Sequence, residues 1–233
     1  YTSLNPRLTM AESIAYAPRM HGLAKQAAFE RADTLLSRVG LNPRQYASRY
    51  PHELSGGQRQ RVNIARALAL QPRLVILDEA VAALDKSVEA QVLNLLSDLK
   101  ASLNLTYLFI SHDLNVVEYM SDRIMVMYLG RVVESGPVGS ICRHPRHPYT
   151  RALFASRPTL DPDRRTNEMP LTGDPPNPIN PPSGCRFRTR CAFAQPRCAQ
   201  EVPPLAAPMV GEPDPGHVVA CIIPEAQSGA NHA

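Results

Sequence analysis

Apolar residues recur at helical spacing through much of the first 136 residues and lose that regularity afterwards. Ala24, Ala27, Ala28, Leu35, Leu36 and Val39 fit a 3.6-residue period, which predicts a helix from Ala24 to Val39 with Gly40 as its stop. Pro43 and Pro51 keep the next stretch irregular. A second helix is read from Gly57 to Leu70, ended by Pro72. Leu74-Val75-Ile76-Leu77 is a short apolar run of the kind found in buried parallel strands. A long amphipathic helix follows, with Val88, Val92, Leu95, Leu96, Leu99 and Leu103 on one stripe. Leu105 to Ile110 reads as a second buried strand and Asn115 to Met120 as a short helix. Arg123 to Tyr128 and Arg131 to Glu134 flank Leu129-Gly130 as a hairpin. Strand, helix, strand, helix and hairpin together predict an α/β domain with a largely parallel sheet.

Proline changes the picture after residue 136. Of 23 prolines, 18 lie beyond Gly136, including a Pro-rich stretch from Pro170 to Pro182. This shift places a boundary near residue 135. The 233 residues are 44% hydrophobic, enough for a real core, and there is no internal repeat. No apolar run approaches the ~20 residues that span a bilayer, and no basic-then-apolar leader opens the chain. The expectation is a soluble, cytoplasmic protein. The net charge of +4 is modest and the arginines are scattered, apart from a group near the C-terminal cysteines. Nucleic acid is therefore not an expected partner.

Three short segments carry chemistry. In Leu54-Ser55-Gly56-Gly57-Gln58, Ser55 stands where a helix N-cap belongs, and two glycines let backbone approach a ligand. The helix that follows directs free N–H groups and its positive dipole end outward, which suits an anion. An ordinary capping turn would read the same way. Asp78-Glu79 ends the first apolar run, and ligands of parallel sheets sit at the carboxyl ends of strands. Asp78 is placed to organise Mg²⁺. Glu79 projects differently, so it can polarise an attacking water. His112, between Ser111 and Asp113, ends the second apolar run.

Leu54 to Gln58, then Val75 to Glu79, then Ala83-Leu84-Asp85, then Ser111-His112-Asp113 resemble, in order and spacing, the ATP-binding cassette (ABC) ATPase family. The resemblance implies a partial P-loop NTPase fold with a helical subdomain over residues 1–135. It implies that Ser55, Gly56, Gly57 and Gln58 form the signature loop that contacts ATP held by a second ATPase subunit. It makes Asp78 the Walker B residue for Mg²⁺ and Glu79 the general base. Asp85 becomes the D-loop residue at the dimer interface, and His112 the switch histidine at the γ-phosphate. Ala80-Val81-Ala82 departs from the family's usual Pro-Thr-Ser at linker-like positions.

A phosphate loop needs Gly-x-x-x-x-Gly-Lys-Ser/Thr, and none of the 12 glycines precedes a lysine. The opening Tyr1 to Arg7 resembles the stretch after the Q-loop of peptide-importer ATPases. The expectation is a chain without its phosphate loop, inactive by itself. Residues Arg7 to Arg49 correspond by resemblance to the part that faces the permease. His144 to Leu153, Pro181 to Cys185 and Val219 to Cys221 resemble the C-terminal extension of dipeptide and oligopeptide importer ATPases, whose relatives serve nickel and glutathione. This gives an ABC domain over 1–135, a small Cys/Pro-rich extension over 136–225 and a flexible tail over 226–233. The implied partners are a second ATPase subunit, identical or not, permease subunits and, indirectly, a solute-binding protein. The implied location is the cytoplasmic face of the membrane.

Cys185, Cys191, Cys198 and Cys221 are spaced C-x5-C-x6-C-x22-C in a segment with little apolar sequence to fold around. Four thiolates round a metal would staple it. The spacing does not match the C-x₂₋₄-C pairs of zinc sites, and Arg186, Arg188, Arg190 and Arg197 are near enough in sequence to offset an anionic cluster. A [4Fe–4S] cluster is expected there, as some peptide-importer ATPases carry one in this region. Free thiols or zinc remain open, and Cys142 is read as a helix-packing residue. Two further classes stand beside transport. One is a non-hydrolytic remnant or interaction module, which the missing phosphate loop favours. The other is a non-transport ABC ATPase, which would bring heptads or a basic arm not present here.

Overall fold

In the computed structural model, residues 4–157, 173–174, 176–211 and 214–228 are described. Tyr1 to Ser3, the early part of the Pro-rich stretch (170–172 and 175) and tail residues 229–233 lie outside them. The chain divides into two units, Tyr1–His112 and Asp113–Ala233. Among the described residues no helix is long and apolar enough to cross a membrane.

The first unit opens with a helix that apolar periodicity did not reveal, α1 (Met10–Met20). Thr9 and Glu12 cap it reciprocally: the Thr9 hydroxyl accepts from Glu12 N, and the Glu12 carboxylate accepts from Thr9 N. The signal was Thr9-x-x-Glu12. Helix α2 (Lys25–Arg38) follows, and Gly40, at φ +75°, ends it in the left-handed conformation that favours glycine. The stretch expected to be irregular holds a short α3 (Pro43–Tyr46), started by Asn42 and Pro43, and a 3₁₀ turn at Pro51–Glu53. Helix α4 (Gly56–Leu68) packs on α1 and α2. Met10, Ile14, Ala28, Ala32, Leu36, Val62 and Ala65 are buried there.

Strands β1 (Leu74–Asp78) and β2 (Thr106–Ile110) pair in parallel, Asp78 opposite Ile110, and are joined by α5 (Lys86–Leu103). A parallel pair joined by a helix is what the apolar runs predicted. Full burial is corrected. Val75 and Leu77 are buried, while Ile76 is 61% exposed and Leu108 51%. A sheet covered on one face alternates, so neighbouring residues of one apolar run meet different surroundings. Helix α5 buries Val92, Leu96 and Leu99 as the stripe predicted, and Leu93 besides.

The second unit starts with α6 (Leu114–Met120) and the hairpin β3 (Arg123–Tyr128) and β4 (Arg131–Pro137), joined through Leu129-Gly130. A two-residue β5 (Val218–Val219) adds to β4 at Glu134 and Ser135. The composition boundary at 135 therefore falls inside β4. Helices α7 (Val138–Arg143) and α8 (Pro148–Ala155) follow β4. Phe187, 2% exposed, packs edge-on to Tyr128 at 5.2 Å and beside Tyr149 at 5.4 Å, closing a core with Ile124, Val126 and Ile141. Cys142 packs against that core, and burial pushes its thiol up to about 11. A smaller core joins Cys198 of α9 (Arg197–Gln200) to Ile223 and to Ala226 of α10 (Pro224–Ser228). Ala226 and Gln227, at the start of the expected flexible tail, are buried.

Candidate functional site

Ser55 is the N-cap of α4. Its hydroxyl accepts from Gln58 N at 3.3 Å, and the Gln58 side chain accepts from Ser55 N at 2.9 Å. The same amide donates to the Tyr46 hydroxyl at 3.1 Å, which ties the loop to α3. Capping satisfies Gln58 N. The amides of Gly56 and Gly57 have no acceptor among the described residues, so the helix start presents two N–H groups and the dipole end. Tyr46 was not singled out in the sequence, because a tyrosine 12 residues upstream carries no periodic signal.

Gly57 has a second reason to be glycine. A Cβ at this position would run into the Val88 side chain, at the start of α5. Gly57→Ala is expected to destabilise the first unit by about 1–3 kcal/mol through overpacking. Val88→Ala in the same chain is expected to recover most of that loss. Denaturant unfolding of the single and double variants checks this; an additive double variant would show that Val88 is not the obstacle.

Asp85 is the N-cap of α5, with its carboxylate accepting from Val88 N at 3.0 Å and from the Ser87 hydroxyl at 2.9 Å. The Val88 amide foremost, then the Ser87 hydroxyl, holds this exposed carboxyl below its usual range. Asp85 thus serves as a helix cap whatever else it contacts.

The two strand ends meet at Glu79 and His112. Glu79 N donates to Ile110 O at 3.0 Å, and Glu79 sits at φ +48°, a left-handed conformation uncommon for a side-chain-bearing residue. This turn swings its carboxylate to His112, whose Nδ1 lies 2.9 and 3.0 Å from the two carboxylate oxygens. A carboxylate only accepts, so Nδ1 carries the proton. Both side chains remain open to solvent, at 42% for Glu79 and 76% for His112. Asp78, one residue earlier, is exposed and accepts no hydrogen bond among the described residues. A free, hard carboxylate oxygen at a strand end is the donor type that Mg²⁺ takes. The structure therefore brings Glu79 and His112 together beside Asp78, and Ser55 to Gln58 stand with Asp85 at two adjoining helix starts.

The cysteine site is less complete. Cys185 N donates to Cys198 O at 2.8 Å, and Cys185 and Cys221 both pack with Cys198. Burial, and then the neighbouring thiols of Cys221, Cys185 and Cys198, pushes Cys191 up to about 11. Burial also raises Cys185 and Cys221. The four thiols share one neighbourhood. Even so, among the described residues no three His, Cys, Asp or Glu side chains gather closely enough to hold a metal ion. Three of the four arginines expected to face a cluster hydrogen-bond backbone oxygens instead: Arg186 donates to Leu129 O, Arg188 to Ser183 O and Arg197 to Ile222 O, while the charge of Arg188 still reaches Cys185.

A buried polar centre in the second unit escaped the sequence reading. Glu134 is fully buried in β4. It accepts from Arg146 N at 2.6 Å, His147 N at 2.9 Å and His217 Nε2 at 2.7 Å. Burial alone would raise its pKa; the hydrogen bonds, that of His217 foremost, hold it below the usual value. The available signal was the His147-Pro148-Tyr149-Thr150 stretch, which carried only a resemblance.

Residues 1–82 match the ABC transporter family, and residues 133–198 match the oligopeptide/dipeptide transporter C-terminal region. The chain is 52% identical over 233 residues to a probable peptide ABC transporter ATP-binding protein, y4tS, of Sinorhizobium fredii. That match covers 100% of this chain and 64% of the relative. A putative oligopeptide transport ATP-binding protein, YkfD, of Bacillus subtilis is 50% identical over 226 residues, covering 95% of this chain and 67% of the relative. The oligopeptide transport ATP-binding protein OppF of Escherichia coli is 51% identical over 210 residues, covering 87% and 62%. The chain thus spans about two thirds of the length of these relatives.

Proposed function

This chain belongs to the ATP-binding proteins of ABC transporters, in the group that carries the oligopeptide/dipeptide C-terminal region, and from that premise we propose that it is part of the ATPase that powers import of dipeptides or oligopeptides, or of a related solute such as glutathione or nickel. The observation that carries the catalytic part is the Glu79–His112 pair at the ends of adjacent parallel strands.

In this reading Asp78 holds Mg²⁺, which neutralises charge on the phosphates when bound. Glu79 accepts the proton of the attacking water, and His112 orients the Glu79 carboxylate and reaches the terminal phosphate. Ser55, Gly56, Gly57 and Gln58 meet the terminal phosphate of a nucleotide held by a second ATPase subunit, with Asp85 at that interface. Residues Arg7 to Arg49 face the permease at the cytoplasmic side of the membrane. Support there comes from the apolar side chains of Tyr16 and Met20, 56% and 62% exposed on α1.

Residues 1–233 contain no glycine followed by lysine. The relatives it matches are longer than these residues, and the proposed ATPase is a longer protein whose phosphate loop lies outside residues 1–233; within them it has an ABC part (1–135), an extension (136–225) and a tail (226–233). Phosphate release from MgATP by residues 1–233 alone is expected to stay at background. The longer protein, assembled with its permease, is expected to turn over ATP and to crosslink from position 16 to permease loops. Turnover by residues 1–233 that disappears in Glu79→Gln, or crosslinks that reach only the other ATPase subunit, would contradict the assignment.

The finer reading of Cys185, Cys191, Cys198 and Cys221 as ligands of a [4Fe–4S] cluster rests on their spacing and shared neighbourhood, and it requires the four thiols to draw closer together than they stand here. Such a cluster would tie α9 to the segment before α10. Anaerobically purified protein is expected to contain iron and sulfide that Cys191→Ser removes. A colourless protein with one zinc ends this reading.

A further inference from the structure

Beside β4 lies an open cleft of about 310 Å³, formed entirely by residues of the second unit. That volume is at the lower end of small-molecule pockets, roughly 300–1,000 Å³. Its walls include Val133, Phe187 and Leu205. Leu205 is 45% exposed and its neighbour Val202, also in the lining, 50%, so the rim offers apolar surface that an occupant would cover.

The polar lining has one sign. Arg131, Arg186 and His147 contribute, and no Asp or Glu does. Arg186 donates to Leu129 O, which places its guanidinium at the β3–β4 turn from which Arg131 leaves. Two cationic groups therefore stand at one end of the cleft. The Arg131 side chain is exposed and makes no hydrogen bond or ion pair among the described residues, while its backbone pairs with Tyr128. His147 is 2% exposed, and its Nδ1 accepts from Tyr149 N at 3.1 Å. The neutral ring then carries its proton on Nε2, as a further donor.

We propose that this cleft binds a small organic carboxylate with an apolar body, its carboxylate held by Arg131 and Arg186 and its body against Val133, Phe187 and Leu205. Guanidinium forks match carboxylate geometry. The absence of any acidic lining residue selects against a free α-ammonium group, so the fitting class is an N-blocked amino acid or a simple branched acid. The proposal is independent of the ATPase reading, since none of its residues belongs to the Asp78, Glu79 and His112 set.

The probe is N-acetyl-L-leucine, titrated by calorimetry into the purified 233-residue chain. Saturable binding is expected. N-acetyl-L-leucine amide, which lacks the charge, and acetate, which lacks the apolar body, are each expected to bind at least about tenfold more weakly. Arg131→Ala should weaken the acid about tenfold while leaving circular dichroism and unfolding unchanged, because this side chain holds nothing else. Arg131→Lys should keep part of the affinity. No saturable binding, equal affinity for acid and amide, tighter binding of free leucine, or full affinity in Arg131→Ala would each overturn the proposal.

Discussion

Replacing Glu79 by Gln in the longer, phosphate-loop-containing protein is expected to lower steady-state ATP hydrolysis by about 10²–10⁴-fold while ATP binding survives. Glutamine keeps the shape and accepts the His112 Nδ1–H through its carbonyl, yet it takes no proton from water. Asp78 is untouched, so the metal ligand remains. His112→Ala should also slow hydrolysis, because it removes the group lying 2.9 Å from the Glu79 carboxylate. It leaves the base itself in place, so its effect should appear in kcat more than in nucleotide affinity. Phosphate-release kinetics and nucleotide-binding titrations of both variants check this. Near-normal turnover in either would remove that residue from the proposed mechanism.

Glu134→Ala is expected to destabilise the second unit by about 3–5 kcal/mol, a large fraction of a typical domain's 5–15 kcal/mol. The buried carboxylate is the acceptor for Arg146 N, His147 N and His217 Nε2. Deleting it strands three donors, two of them buried and one part-buried. The same centre makes stability fall with acidification. Burial holds His147 down from 6.5 to about 4. Between those values the unfolded chain binds a proton that the folded chain does not, so stability drops as pH falls from 6.5 to about 4, by up to about 3 kcal/mol. Glu134, held below its ordinary 4.5, adds to the loss as pH falls below that value. Denaturant unfolding at several pH values, with hydrogen exchange at β4, reads both effects. His147→Asn should flatten the profile between pH 4 and 6.5. An equally steep profile in that variant, or a Glu134→Ala loss under about 1 kcal/mol, would show that this centre is not what holds the unit.

Periodicity and punctuation determined most elements of this protein by themselves. Helix α2 and its Gly40 stop, the Ser55 cap of α4, the stripe of α5 and the β3–β4 hairpin all follow from local rules: 3.6-residue spacing, capping chemistry and a turn at Leu129-Gly130. The motifs at Ser55, Asp78-Glu79 and His112 were legible for the same reason, since each is contiguous in the chain. What tertiary structure decided depends on residues far apart in sequence. Leu74 and Ile76 are exposed because burial is set by what covers a face, and an apolar run does not say which face is covered. Glu79 and His112, 33 residues apart, meet only through the parallel pairing of β1 with β2 and the left-handed turn at Glu79. Glu134 read as a polar end to a hairpin strand, and it became a buried hub only when β5 and the segment before α8 closed over it. Polar groups are buried where distant backbone and side-chain donors converge on them, and no local pattern encodes that convergence.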